Sequence, residues 1–180
     1  MSLFLLLSLV IVVGPGITGS SMADPVASLE YRVKAAFIFN FAKFVEWPAA
    51  AYAGNRGELT IGILGDDPFG RILDLTVEGK TVGGRRVRIR RCDSVDDVKG
   101  CQILFISLSE DEHLPQITEK LKGMPVLTVS ELDSFTQKDG IVKFFMEDNK
   151  VRFEINIDQA TRSGLKISSQ LLYLAHVIRD

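Results

Sequence analysis

The stretch Leu59-Thr60-Ile61-Gly62-Ile63-Leu64-Gly65-Asp66-Asp67-Pro68-Phe69-Gly70 decides the fold. Its first six residues are too few for a buried helix and rich in branched, apolar side chains, the pattern of a strand covered on both faces. Gly65 to Gly70 then carries turn chemistry, and Ile72, Leu73 and Leu75 behind it predict a short helix. A strand turning into a helix is the repeating unit of a parallel sheet.

The alternation continues downstream. Val82 to Arg91 predicts a strand with Val87 and Ile89 inward and Arg86, Arg88 and Arg90 outward. Gln102 to Leu108 and Met124 to Val129 predict further buried strands. Ser109 with Glu112 forms a capping-box pattern for the helix between them, which ends near Gly123. Ser130-Glu131-Leu132-Asp133 predicts the start of a second short capped helix. Ile141 to Met146 and Val151 to Ile157 read as a hairpin across Glu147-Asp148-Asn149-Lys150, and a terminal helix is expected over Ile167 to Ile178. Upstream, Asp24-Pro25 opens a helical stretch to about Trp47, where Pro48 stops it. Val33, Phe37, Phe41, Phe44 and Val45 form its apolar stripe, with Lys34, Lys43 and Glu46 on the polar side. A mobile segment, Ala49 to Glu58, is expected next. The fold class is therefore α/β: a three-layer sandwich with a mainly parallel sheet, helices on both faces and a C-terminal antiparallel hairpin.

The N-terminus differs from the rest. Met1 to Ala23 contains no Asp, Glu, Lys or Arg, and Leu3 to Val13 is apolar apart from Ser8. Gly14-Pro15-Gly16 breaks the run, and Ser21-Met22-Ala23 fits the small-x-small signal of peptidase cleavage. The run is about half of the roughly 20 residues that span a bilayer. The expectation is a cleaved signal peptide over 1–23, export to the periplasm, and a single mature domain over 24–180. Cys92 and Cys101 fit an oxidising compartment, where they would close a disulfide; two free thiols are the alternative.

A net charge of −2 argues against a general nucleic-acid surface. Two cysteines and two histidines leave little material for a transition-metal site, and no cofactor motif is present. Gly79-Lys80-Thr81 resembles the end of a phosphate-binding loop, but the required first glycine falls at Asp74 and a helix, not a strand, precedes it. His113 and His176 have no serine or cysteine nucleophile in a recognisable context, so no catalytic residue is assigned. Two ligand-binding candidates remain. Asp66 and Asp67 sit in the strand-to-helix turn, where open α/β sheets hold ligands. Arg86, Arg88 and Arg90 project from one strand face and could hold a carboxylate or phosphate. Helix capping and a charged edge strand are the plainer readings of the two groups.

Five segments carry a resemblance over the whole mature chain. Val33-Lys34-Ala35-Ala36-Phe37-Ile38-Phe39-Asn40-Phe41-Ala42-Lys43-Phe44-Val45-Glu46-Trp47-Pro48 resembles the opening helix of the YfiR family. Ile63 to Gly70, Cys101 to Ser107, Val151 to Asn156 and Leu165 to Leu172 agree in order. The resemblance implies a periplasmic regulator that represses an inner-membrane diguanylate cyclase by binding its periplasmic part. It further implies that an outer-membrane lipoprotein relieves the repression, so that cyclic-di-GMP and biofilm formation follow the state of the envelope. It also implies a structural disulfide and a homodimer, though this chain has one cysteine pair where some members carry two. Phe39 and Trp47 on the aromatic helix are then the candidate partner-binding residues. The alternative is a periplasmic receptor for a small anion or nucleotide, using Asp66, Asp67 and the arginine strand.

Overall fold

The computed structural model describes residues 25–54 and 57–179. Helix α1 (Pro25–Phe44) opens the described chain, its proline in the first turn, where the missing N–H costs nothing. It ends three residues before Trp47, because Val45–Glu46 (β1) leave the helix to pair antiparallel with Lys166–Ile167 (β9). That two-stranded ribbon ties the start of the chain to its end.

The large sheet contains, in chain order, β2 (Glu58–Leu64), β3 (Thr81–Val82), β4 (Arg85–Cys92), β5 (Ile103–Ile106), β6 (Leu127–Ser130), β7 (Val142–Glu147), β8 (Lys150–Asn156) and β10 (His176–Ile178). Its spatial order is β10-β8-β7-β6-β5-β2-β4-β3. The run from β4 through β2, β5 and β6 to β7 is parallel, whereas β7–β8 and β3–β4 are antiparallel hairpins. Helices α2 (Arg71–Val77), α3 (Leu114–Leu121), α4 (Ile157–Arg162) and α5 (Ser169–Leu174) complete the described α-helices.

Strand alternation sorts the core into two layers. Leu59, Ile61 and Ile63 of β2, Phe105 of β5 and Phe144 of β7 face α1 and α2. Phe41 of α1 lies 5.8 Å from Phe144 and 5.2 Å from Phe153, ring centroid to ring centroid. The opposite face of β2, β4 and β5 presents Leu64, Cys92, Leu104 and Ile106 to Leu114, Ile117 and Leu121 of α3. The three-layer α/β expectation therefore holds, with the parallel centre continuous in apolar residues and the hairpin alternating. On the hairpin's second face Lys143 pairs with Glu154 at 3.7 Å, and the Thr136 hydroxyl also donates to Glu154.

Four local expectations differ from the structure. The terminal helix is only α5; Ala175 turns extended and His176–Ile178 join β8 as a parallel edge strand. Sheet pairing with a strand twenty residues upstream overrides the helical apolar spacing. Ser109 does not cap a helix. Ser107 does so, and a 3-10 segment over Leu108–His113 delays α3 until Leu114. Ser130 starts no helix either: its hydroxyl donates to the Ile106 carbonyl and accepts from the Leu132 amide, fixing a bend before a short 3-10 turn at Phe135–Gln137. Lys34, assigned to the polar side of α1, is 1% exposed.

Candidate partner-docking surface

Helix α1 buries Ala35, Ile38, Phe41 and Ala42 against the sheet, so the residues a third of a turn away are left outside. Leu29 is 63% exposed and Val33 37% exposed. Across from them the β7–β8 hairpin presents Met146, 48% exposed, and the edge of Val151. Asp148 and Asn149 both take positive φ (49° and 57°) at the tip, the two-residue turn whose twist matches paired strands. This turn brings Met146 and Val151 beside Phe37 and Val33 and leaves an apolar groove of about 350 Å³ between helix and hairpin.

A buried ionic cluster fixes that half of α1 to the sheet. Lys34 Nζ donates to Glu30 one turn earlier and to Glu131 just beyond β6, and lies 4.6 Å from the Tyr31 ring centroid. The Tyr31 hydroxyl donates to Glu131 at 3.1 Å. Burial, and then the neighbouring Glu131 carboxylate, push the Tyr31 hydroxyl above its ordinary range. The sign follows from linkage: the unfolded tyrosine ionises from about pH 10 while the folded one stays neutral, so stability present below pH 10 falls as pH rises past it. Tyr31→Phe is expected to flatten the loss between about pH 10 and 11 in denaturant titrations. An unchanged slope would remove Tyr31 from that account.

Phe39 is 8% exposed and packed beneath two cations, Lys43 Nζ at 4.4 Å and Lys80 Nζ at 4.6 Å from its centroid. Trp47 is half-buried, and its indole N–H donates to the Gln102 carbonyl at 2.9 Å. Both sit on or just after α1, but neither belongs to the exposed stripe; they brace it from within.

The polar candidates do not converge. Asp67 accepts from the Phe69 and Gly70 amides at 2.8 and 3.1 Å and receives Arg91 Nε at 2.8 Å. Arg91 also grips Asp74 at 2.6 and 3.2 Å. The hydrogen bond from Arg91 holds the Asp74 carboxyl below its ordinary range, and the same bond raises the guanidinium. The Asp66 amide donates to Ser109 Oγ at 3.0 Å. Arg86, Arg88 and Arg90 lie on the other face of β4 from Arg91. Arg88 meets Glu58 at 3.1 Å, and Arg90 donates to the Asp97 and Lys99 carbonyls at 3.3 and 2.9 Å. Arg91, on the same face of β4 as Val87 and Ile89, is the arginine that joins the turn, as strand parity alone would place it.

Cys92 and Cys101 are both buried as free thiols, so the expected disulfide is not formed in this structure. Cys92 ends β4, Cys101 lies in the loop just before β5, and Gly62 of β2 leaves room for the Cys101 sulfur. A methyl group at Gly62 would lie 2.9 Å from Cys101 Sγ. A hydrogen bond from Cys101 lowers the Cys92 thiol; that bond and burial raise Cys101. His113 faces Glu110 at 3.4 Å, and the His176 ring lies 5.3 Å from Phe145.

Among the described residues no group of three or more His, Cys, Asp or Glu could hold a metal, and no helix is long and apolar enough to cross a membrane. The segment assigned to a signal peptide lies outside the described residues. The class so defined is an α/β protein whose buried polar groups are spent on one another and whose apolar surface is left open beside α1. A sequence profile of the YfiR/HmsC-like family matches residues 31–176, and the chain belongs to that family. The family points to a periplasmic, regulatory and non-catalytic role in cyclic-di-GMP signalling.

Proposed function

We propose that this chain is exported, loses residues 1–23, and acts in the periplasm as a single domain over 24–180 that represses an inner-membrane diguanylate cyclase. The observation that carries the docking step is the exposed stripe of α1 facing the hairpin tip: Leu29, Val33 and Met146 form one apolar groove on a rigid support. A contiguous apolar groove of this kind suits an interaction site. Docking there holds the cyclase's periplasmic part in its inactive arrangement; an outer-membrane lipoprotein competing for the repressor would release it. The state that docks is a homodimer in this proposal, as the family resemblance implies. Deleting the gene is expected to raise cellular cyclic-di-GMP several-fold and to increase biofilm, with both restored by the wild-type chain. Unchanged cyclic-di-GMP in the deletion strain contradicts the proposal.

The cysteine pair belongs to this reading. In an oxidising periplasm Cys92, the thiol of lower pKa, forms the thiolate more readily, and closure with Cys101 stabilises the β4–β5 connection. Closing so short a loop contributes about 2.6 kcal/mol, which is about 5–10 °C in Tm for a chain of this size. Calorimetry of the oxidised protein against Cys101→Ser checks this. Equal melting temperatures would mean that the two sulfurs stay reduced, and signalling output should then be indifferent to the substitution.

A further inference from the structure

The sheet has one long open edge. Strand β3 pairs with β4 only at Arg85 and Arg86, so beyond that point β4 has β2 on one side and, among the described residues, no strand on the other. The Arg86 amide donates to Gly57 on the β2 side, at 3.0 Å, and the Val87 amide to the Lys80 carbonyl on the outer side, also at 3.0 Å. Backbone direction alternates along a strand, so the N–H and C=O groups of Ile89 and Arg91 point to the open edge. Helix α2 runs beside that edge, and the two enclose a cleft of about 320 Å³. Val77, Val87 and Ile89 supply its apolar lining and Leu75 stands 59% exposed at its mouth; three arginines (Arg71, Arg86, Arg88) border it against two carboxylates, of which Asp74 is already paired with Arg91 and Glu78 is the other.

We infer that this cleft takes an extended, acidic segment of a partner polypeptide, added to β4 as a further strand. Three properties select that occupant. An open strand beside a helix offers backbone hydrogen bonds to any extended peptide. Side chains of the incoming strand alternate, so one set drops under α2 onto Val87 and Ile89 while the other faces Arg86, Arg88 and Arg90. Small apolar residues suit the first set and carboxylates the second. The same arginines reject a second copy of this chain: antiparallel pairing of β4 with itself centred on Ile89 sets Arg88 opposite Arg90 twice, like charge against like. The Arg88–Glu58 pair is exposed on both sides and yields readily to a competing carboxylate. The inference rests on the docking reading in that the partner is a polypeptide, and it adds a second contact remote from the α1 groove.

The test uses the purified protein and two capped heptapeptides, one alternating Glu and Val, the other Lys and Val. The Glu/Val peptide is expected to bind about tenfold tighter or more, and to slow hydrogen exchange at the Ile89 and Arg91 amides. A version N-methylated at the β4-facing positions should lose binding, since it keeps charge but cannot pair. The double change Arg86→Glu with Arg88→Glu should reverse the preference between the two peptides, with the fold checked by circular dichroism. Equal binding of both peptides, or binding without protection at Ile89 and Arg91, overturns the inference and leaves the arginines as a guard against self-association. The assay needs no membrane protein, so its failure is separate from a failure of the repressor reading, which the cyclic-di-GMP measurement reports.

Discussion

Replacing Lys34 by alanine is expected to destabilise the protein by about 3 kcal/mol, a large share of what holds a domain of this size. The Lys34 side chain is 2% exposed and serves two carboxylates at once, Glu30 one turn away on α1 and Glu131 at the end of β6. Without the ammonium, Glu131 (13% exposed) keeps a charge it can neither hydrate nor pair fully. Glu30 is more accessible at 26%, which places the cost toward the lower end for broken buried pairs. The triple change Lys34→Met, Glu30→Gln, Glu131→Gln removes both the cation and the stranded charges, and most of the loss should return. Urea denaturation of the three proteins decides the matter. A cost under about 1 kcal/mol for Lys34→Ala would show that the cluster is solvated and does not anchor α1.

The second large effect is on binding, not folding. Val33→Glu, alone or with Leu29→Glu, should weaken docking to the membrane partner by about a hundredfold or more, by placing a charge at the centre of an apolar contact. Both residues already face solvent, so stability should move by no more than about 0.5 kcal/mol. Cells carrying either variant should then show the cyclic-di-GMP level of the deletion strain while accumulating normal amounts of the protein. Phe39→Ala and Trp47→Ala offer the contrast, since each removes packing that supports α1, and any loss of repression should track lost stability. A Val33→Glu variant that represses normally would move the docking site away from this face.

The parts of the fold that were legible in the sequence are those where local chemistry and tertiary environment agree. Leu59 to Leu64 is buried on both faces, so its apolar run reads as a central strand and is one. Asp148-Asn149 between alternating segments makes the hairpin readable from turn chemistry. The misread parts depend on partners far along the chain. Lys34 looks like a solvent residue by helical spacing, and only Glu131, 97 positions later, makes burial possible. His176 to Ile178 continues an apolar helical spacing, yet the free edge of β8 captures it. The candidate surface divides the same way. Aromatic content pointed to Phe39 and Trp47, but aromatic rings are also what a helix buries, and the exposed stripe is made of Leu29, Val33 and Met146. The arginine run is visible, but parity has to be followed one residue further to see Arg91 reach across the surface to Asp67 and Asp74.

The central claim is tested most directly by isolating what the protein holds at the inner membrane. Tagged wild-type protein and its Val33→Glu variant would be expressed in cells of the source organism, crosslinked in the envelope, purified and examined by mass spectrometry. The account predicts that a membrane-anchored diguanylate cyclase co-purifies with the wild type and is lost from the variant at equal protein yield. Recovery of the cyclase with both proteins would contradict docking through α1, and absence of any cyclase from the wild type would contradict the repressor function itself.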